Sequence, residues 1–200
     1  MKARILFTIG FVFISLVSFS QVIENVDYVS PEKDGIIAIK KGEKWSFIDT
    51  EANTLIDFRS DMVVMSNSDG DYPIIDSDRC LIKKKVDDQF YYGFIDKSGK
   101  TVIEPQFLYA TSFKDGKAII LKKITEKMGE NKVLGKNVIS TQLEEYVIDT
   151  SGKTIKFLSS RNYIPKRVGA KSQLKINSKF ITNNLIGVKE RNNKWTLHKI

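Results

Sequence analysis

Apolar and polar residues alternate along this chain in short runs separated by turn residues. In Tyr92-Gly93-Phe94-Ile95-Asp96, the residues Tyr92, Phe94 and Asp96 alternate with Gly93 and Ile95. That period of two is the pattern of a β-strand. Runs of four to seven β-branched and aromatic residues, bounded by turn residues, recur along the chain and read the same way. After residue 20 no segment holds a helical period over 11 or more residues.

The pattern also repeats. Tyr92-Gly93-Phe94-Ile95-Asp96-Lys97-Ser98-Gly99-Lys100-Thr101-Val102-Ile103 matches Tyr146-Val147-Ile148-Asp149-Thr150-Ser151-Gly152-Lys153-Thr154-Ile155, with Tyr92 aligned to Tyr146. A further copy runs from Trp45 through Phe47, Ile48 and Asp49 to Ile56, and a degraded one closes the chain at Asn193-Lys194-Trp195-Thr196-Leu197. Asp49, Asp96 and Asp149 lie 47 and 53 residues apart, and a period of this length marks a repeat architecture. Each unit is predicted to hold three strands. The first strands are residues 36–41, 80–85, 117–122 and 186–190. The second are 44–49, 91–96, 145–149 and 194–197, and the third are 54–58, 101–103 and 154–158. Residues 124–144 read as a long polar hairpin excursion. In the turn Asp96-Lys97-Ser98-Gly99-Lys100 the carboxylate can cap amides and the glycine can supply a positive φ. In the first copy Asn53 is expected at the glycine position. The expected fold is all-β, with about four imperfect three-stranded antiparallel units in an open stack or a closed, propeller-like ring.

These residues resemble the WG-repeat family, also called KWG repeats. The closest copy joins Tyr92-Gly93-Phe94-Ile95-Asp96 and Gly99-Lys100 to Val102-Ile103-Glu104-Pro105 and Phe107, then Phe113, Gly116 and Ala118. The first copy keeps Lys44-Trp45 but has Ser46 for the glycine, and the last keeps Lys194-Trp195 but has Thr196. The likeness spans nearly all of residues 24–158 and weakly 180–200. It implies a binding or architectural module with no shared catalytic residues. Degraded outer copies suit capping repeats, whose outer faces meet water.

Residues 1–20 read as a secretory signal. Lys2 and Arg4 precede an apolar stretch from Ile5 to Val17, and Ser18-Phe19-Ser20 places small residues before a cut at Gln21. The stretch is short for a spanning helix, and no cysteine near the cut offers a lipid anchor. The expected location is the periplasm, the cell surface or the exterior of a bacterium, with no transmembrane span after cleavage. The remainder, 21–200, is expected to form one β domain. The single cysteine, Cys80, excludes an intramolecular disulfide and is expected to be half-buried in a strand.

Charge divides the chain. Residues 21–150 carry a net charge of −5, and residues 151–200 carry +11 with Glu190 as their only acid. Such a split suggests an anionic partner for the basic C-terminal part, 151–200, or an internal match with the acidic body. An envelope polymer, lipid head groups or another exported protein are the candidates, and nucleic acid is not expected outside the cytoplasm. Lys166 and Arg167 are candidate contacts within this part. The clusters Lys83-Lys84-Lys85 and Lys122-Lys123 read more simply as strand faces or protected sheet edges.

Trp45, Tyr92, Tyr146 and Trp195 could form a ladder of platforms for sugar rings. Burial between neighbouring units is the simpler account of them. Asp49, Asp96 and Asp149 recur at equivalent turns, which suits capping better than paired catalysis, since a glycosidase needs two carboxyl groups about 5–10 Å apart across one bond. Asn67-Ser68-Asp69-Gly70-Asp71 resembles half a calcium loop, but the glycine falls one place early and no glutamate closes it, so a solvated loop is expected. His198 is the only histidine, and no nucleophile–base pair or metal set assembles around it. No catalytic residue, metal ligand or cofactor site is assigned. The leading expectation is non-catalytic binding or scaffolding, and the alternative is a hydrolase of envelope glycan using the repeat carboxylates.

Overall fold

A computed structural model describes residues 23–131, 135–163 and 174–200. The signal segment 1–20 and the pair Lys166–Arg167 lie outside these residues. All regular structure among the described residues is β. Sheet I comprises β1 (Tyr28–Val29), β2 (Ile36–Lys41), β3 (Lys44–Asp49) and β4 (Thr54–Arg59). A small hairpin follows, β5 (Met65–Asn67) and β6 (Gly70–Tyr72). Sheet II comprises β7 (Ile75–Asp76), β8 (Arg79–Val86), β9 (Gln89–Ile95) and β10 (Thr101–Phe107). Sheet III comprises β11 (Tyr109–Ala110), β12 (Lys117–Asn131), β13 (Lys136–Asp149) and β14 (Thr154–Asn162). Sheet IV comprises β15 (Ser178–Thr182), β16 (Leu185–Lys189) and β17 (Trp195–Lys199).

The sheets are antiparallel meanders, and neighbouring strands follow one another in sequence. The expected hairpins are present, including the long polar one, whose pairing runs from Lys117↔Asp149 to Asn131↔Lys136. Each sheet also holds a short leading strand that the three-strand reading lacked. In sheets I to III that leader is two residues long, too short for alternation to show. The acidic segment 67–71 is solvated, with Ser68, Asp69 and Asp71 exposed, and it forms the turn of a tight hairpin: Asn67 pairs with Gly70, and the Asn67 side-chain amide donates to the carbonyl of Met65.

The side-chain period of two makes the inner sheets apolar on both faces. Cys80, Ile82 and Ile95 of sheet II pack back onto Ala38, Trp45, Phe47 and Ile56 of sheet I. Leu81 and Phe94, one residue out of phase, pack forward onto Ala118, Ile120 and Ile148 of sheet III. Ile119 and Val147 of sheet III then face Ile186 and Val188 of sheet IV. Each sheet therefore offers a rear face to its predecessor and a forward face to its successor. The arrangement is an open stack, which decides between the two expected architectures. Cys80 is fully buried rather than half-buried, and burial pushes its thiol up to about 12, so it has neither the exposure nor the thiolate that exchange chemistry needs.

Arginines stitch consecutive sheets. Arg59 of β4, held by both oxygens of Asp61, donates from Nη1 to the carbonyl of Gly99 in the turn of sheet II at 2.9 Å. Arg79 of β8 donates from Nε to the carbonyl of Thr150 in the turn of sheet III, also at 2.9 Å.

The motif glycine has a steric cause. A Cβ on Gly93 would lie 2.4 Å from the carbonyl oxygen of Ile103 and 2.6 Å from the nitrogen of Pro105, both backbone atoms of β10. In sheet I the corresponding residue is Ser46, whose hydroxyl donates to the carbonyl of Ile56 at 2.6 Å. Gly93→Ala forces β10 outward and costs about 1–3 kcal/mol, read as a lower urea midpoint. An unchanged midpoint would mean that β10 yields freely.

Candidate binding surface

The repeated aspartates are occupied by their own turns. Asp96 Oδ1 accepts from the Ser98 amide at 2.9 Å, the Ser98 hydroxyl at 2.6 Å and the Lys100 amide at 3.1 Å. Asp149 repeats this with Ser151 and Lys153. Asp49 accepts from the amides of Glu51 and Asn53 and from the Asn53 side chain. Each carboxyl titrates below its ordinary value, chiefly because a side-chain donor favours the charged form: Asn53 for Asp49, Ser98 for Asp96 and Ser151 for Asp149. A depressed folded pKa gives stability that is present above the unfolded pKa of about 4 and lost as pH falls through the folded value. The melting temperature therefore falls on acidification below pH 4, and a variant with all three aspartates changed to asparagine falls less over the same range.

The glycine that closes these turns has φ of 82° at Gly99 and 86° at Gly152. In the first copy that place belongs to Ala52, at φ 64°, and not to Asn53. The amides of Ala52 and Gly99 bond back to the carbonyls of Asp49 and Asp96 in the same way. An alanine Cβ is strained in the left-handed region, so Ala52→Gly is expected to stabilise by up to about 1 kcal/mol, once glycine's extra freedom in the unfolded chain is offset. A lower midpoint in urea would sink that account.

Strand pairing fixes which residues share the aromatic position. Ile48, Ile95 and Ile148 each pair with the threonine that opens the third strand, Thr54, Thr101 and Thr154. Three residues upstream stand Trp45, Tyr92 and Glu145. Tyr146 is therefore not the equivalent of Tyr92. It corresponds to Gly93 and Ser46 and packs against Phe157 with ring centroids 5.5 Å apart. Its hydroxyl donates to Glu144, the main reason its pKa is pushed up to about 12. In sheet IV, Trp195 pairs with Lys189 as Trp45 pairs with Lys40 and Tyr92 with Lys83.

These positions differ in exposure. Trp45 is buried in the core between sheets I and II, edge-on to Tyr28 at 5.7 Å. Tyr92 is half-buried against Tyr109, with centroids 5.2 Å apart, and its pKa is raised by burial and then by Tyr109. Trp195 is open to solvent, with the Lys179 ammonium 4.7 Å from its ring centre.

Glu145 is fully buried and carries the densest polar network among the described residues. It accepts from Arg161 Nη1 at 2.5 Å, from the backbone amides of Asn177 at 2.8 Å and Ser178 at 3.0 Å, and from the Ser178 hydroxyl at 2.5 Å. Arg161 Nη2 also donates to the carbonyl of Lys175. One carboxylate on β13 thus ties β14 and the entry to β15 together. Counting back from Asp149 without a gap places Glu145 at the aromatic position, and that signal was present in the sequence.

Beside this network lies a polar cleft of about 350 Å³. Ser159, Ser160 and Arg161 form one wall, and Asn177, Lys189, Glu190, Arg191 and Asn192 form the other. Its lining holds three cations against one acid. A second hollow of about 350 Å³ is lined by Tyr91, Gln106, Leu108, Lys122 and Lys123. Lys122 lies 5.6 Å from the ring centres of both Phe107 and Tyr146, so its stem is packed rather than free.

A family model described as a WG containing repeat matches residues 19–45 and 92–123. The second match runs from Tyr92 of β9 through the Asp96–Lys100 turn and into β12. No curated protein and no solved structure matches the chain.

Proposed function

The chain is a WG-repeat protein, and on that premise we propose that it is a non-catalytic binding or scaffolding protein, exported to the envelope or exterior of a bacterium. Its ligand is an anionic group of an envelope polymer, and the basic C-terminal part makes the contact. The observation that carries this reading is the cleft between sheets III and IV. Arg161 is held there by Glu145 and by the Lys175 carbonyl, so its guanidinium is oriented before any ligand arrives. Lys189, at the end of β16, and Arg191, in the turn after it, add two cations. Serine hydroxyls and asparagine amides supply the neutral donors that a polyhydroxylated chain needs. The basic segment to which Lys166 and Arg167 belong extends the same charge along the sequence.

The test is co-sedimentation of the purified protein with peptidoglycan sacculi and with outer-membrane vesicles across a salt titration. Binding is expected to one of these fractions and to fade as salt rises, because exposed charges are screened over about 10 Å at 0.1 M salt. Changing Lys189 and Arg191 together to serine is expected to weaken it at least about tenfold, the loss of roughly 1.4 kcal/mol of contact. Failure to sediment with either fraction, or undiminished binding by the double variant, overturns the proposal.

A further inference from the structure

The second hollow lies in the corner where the chain passes from sheet II to sheet III. The Leu108 amide donates to the Leu121 carbonyl at 2.9 Å, which seats the link between β10 and β11 against β12. Sheet II lines the hollow with Tyr91 and Gln106, sheet III lines it with Lys122 and Lys123, and Leu108 belongs to the link. Tyr91 packs half-buried against the cluster of Leu108, Leu121 and Leu143, so its ring is held in place, whereas Gln106 is exposed. The volume of about 350 Å³ falls within the range of small-molecule sites.

The two lysines are placed by aromatic rings and not by acids. The Lys122 ammonium stands 5.6 Å from the ring centres of Phe107 and Tyr146, and that of Lys123 stands 5.7 Å from the ring centre of Tyr163. Among the described residues neither has a carboxylate within 4 Å. Glu144, opposite Lys122 across the β12–β13 ladder, takes the Tyr146 hydroxyl instead. A ring face steadies an ammonium without cancelling its charge, so both charges remain for a ligand. In the cleft between sheets III and IV, by contrast, Arg161 is already paired with Glu145.

We propose that this hollow binds an acidic sugar, a pyranose ring carrying a carboxylate, at a site distinct from the cleft between sheets III and IV. Tyr91 and Leu108 offer an apolar surface to the C–H face of the ring. The Gln106 amide both donates to and accepts from its hydroxyls, and the lysines take the carboxylate. A bare anion would use the lysines and leave Tyr91 and Gln106 without a role. The wider field limits the ligand's size. Every lining residue belongs to residues 21–150, which carry a net charge of −5. A long polyanion is repelled by that part of the chain, whereas a single acidic ring meets only the two local cations.

The test is an amide NMR titration of the purified protein at neutral pH with glucuronic acid, glucose and acetate. Glucuronate is expected to bind with a dissociation constant on the order of 1 mM. Glucose lacks the carboxylate and acetate lacks the ring, so each is expected to bind at least about tenfold more weakly. The amides that shift are expected to be those of Leu108, Lys122 and Lys123. Gln106→Ala and Lys123→Gln change exposed side chains, so both leave the thermal midpoint in place. Together they are expected to weaken glucuronate binding at least about tenfold. Glucuronate that moves no amide overturns the proposal, as does acetate that binds as tightly, which leaves only an anion site. Shifts confined to Asn177 and Lys189–Asn192, or a double variant that binds as wild type does, overturn it equally.

Discussion

Glu145→Ala is expected to lower the stability of the protein by about 3–5 kcal/mol. The carboxylate is fully buried and accepts four hydrogen bonds, one from a guanidinium, two from backbone amides and one from a hydroxyl. Alanine removes every acceptor at once. It leaves the Arg161 charge without its partner and the amides of Asn177 and Ser178 without theirs, and an unpaired buried donor costs about 1–3 kcal/mol by itself. A folded domain holds only about 5–15 kcal/mol in total, so this is a large share. The loss is also local. In a stack each sheet rests on its neighbours alone, and sheet IV holds to sheet III through the small cluster of Ile119, Val147, Leu158, Ile186 and Val188. Hydrogen exchange in residues 178–199 is expected to accelerate first, with Cys80–Val86 still protected. Glu145→Gln is expected to fall between the two, because it keeps one acceptor but turns an amide N–H₂ toward donors. If exchange in sheet IV were unaltered in the alanine variant, the clamp would not be what holds that sheet.

Most of the stack is legible in the sequence, and the reasons are physical. The hairpins show because their strands are long enough for alternation to register and because the Asp-Xaa-Ser-Gly-Lys turns punctuate them. The leading strands β1, β7 and β11 are two residues each, and a two-residue strand has no period. The open arrangement is a matter of which face meets which sheet. That depends on out-of-phase pairs such as Leu81 and Ile82, which a strand buried on both faces does not distinguish by hydropathy.

The clamp was harder to read than the fold. A glutamate is almost never fully buried unless it is paired, so Glu145 reads as an exposed strand residue, and matching Tyr146 to Tyr92 by type hides the place it fills. Its partners lie 16 and 33 residues away in the chain, across a turn and a linker, and share no motif with it. The misplacement of Asn53 has the same origin. Residue type favoured asparagine for a positive φ, but the spacing from Asp49 assigns the position to Ala52.

Trp45→Ala is expected to cost about 3–5 kcal/mol, because it empties the largest side chain from the core that sheets I and II share. The ring contacts Tyr28 edge-on, and the Lys40 ammonium lies over it, 5.9 Å from the ring centre. Little of its face is left for a sugar. Trp195→Ala at the corresponding place on sheet IV is expected to change stability by no more than about 1 kcal/mol, since the ring is nearly half exposed and covers mainly Gly187 and Ile181. The pair of substitutions therefore separates two uses of one repeat position. Trp45 is there for the fold, and its loss should shift the urea midpoint while sacculus binding, measured on the protein that remains folded, stays as it was. Trp195 lies on the exposed outer face of sheet IV, and its loss should leave the midpoint in place. A Trp45→Ala protein that melts normally but no longer sediments with the envelope would reverse the assignment and make the buried tryptophan a ligand platform.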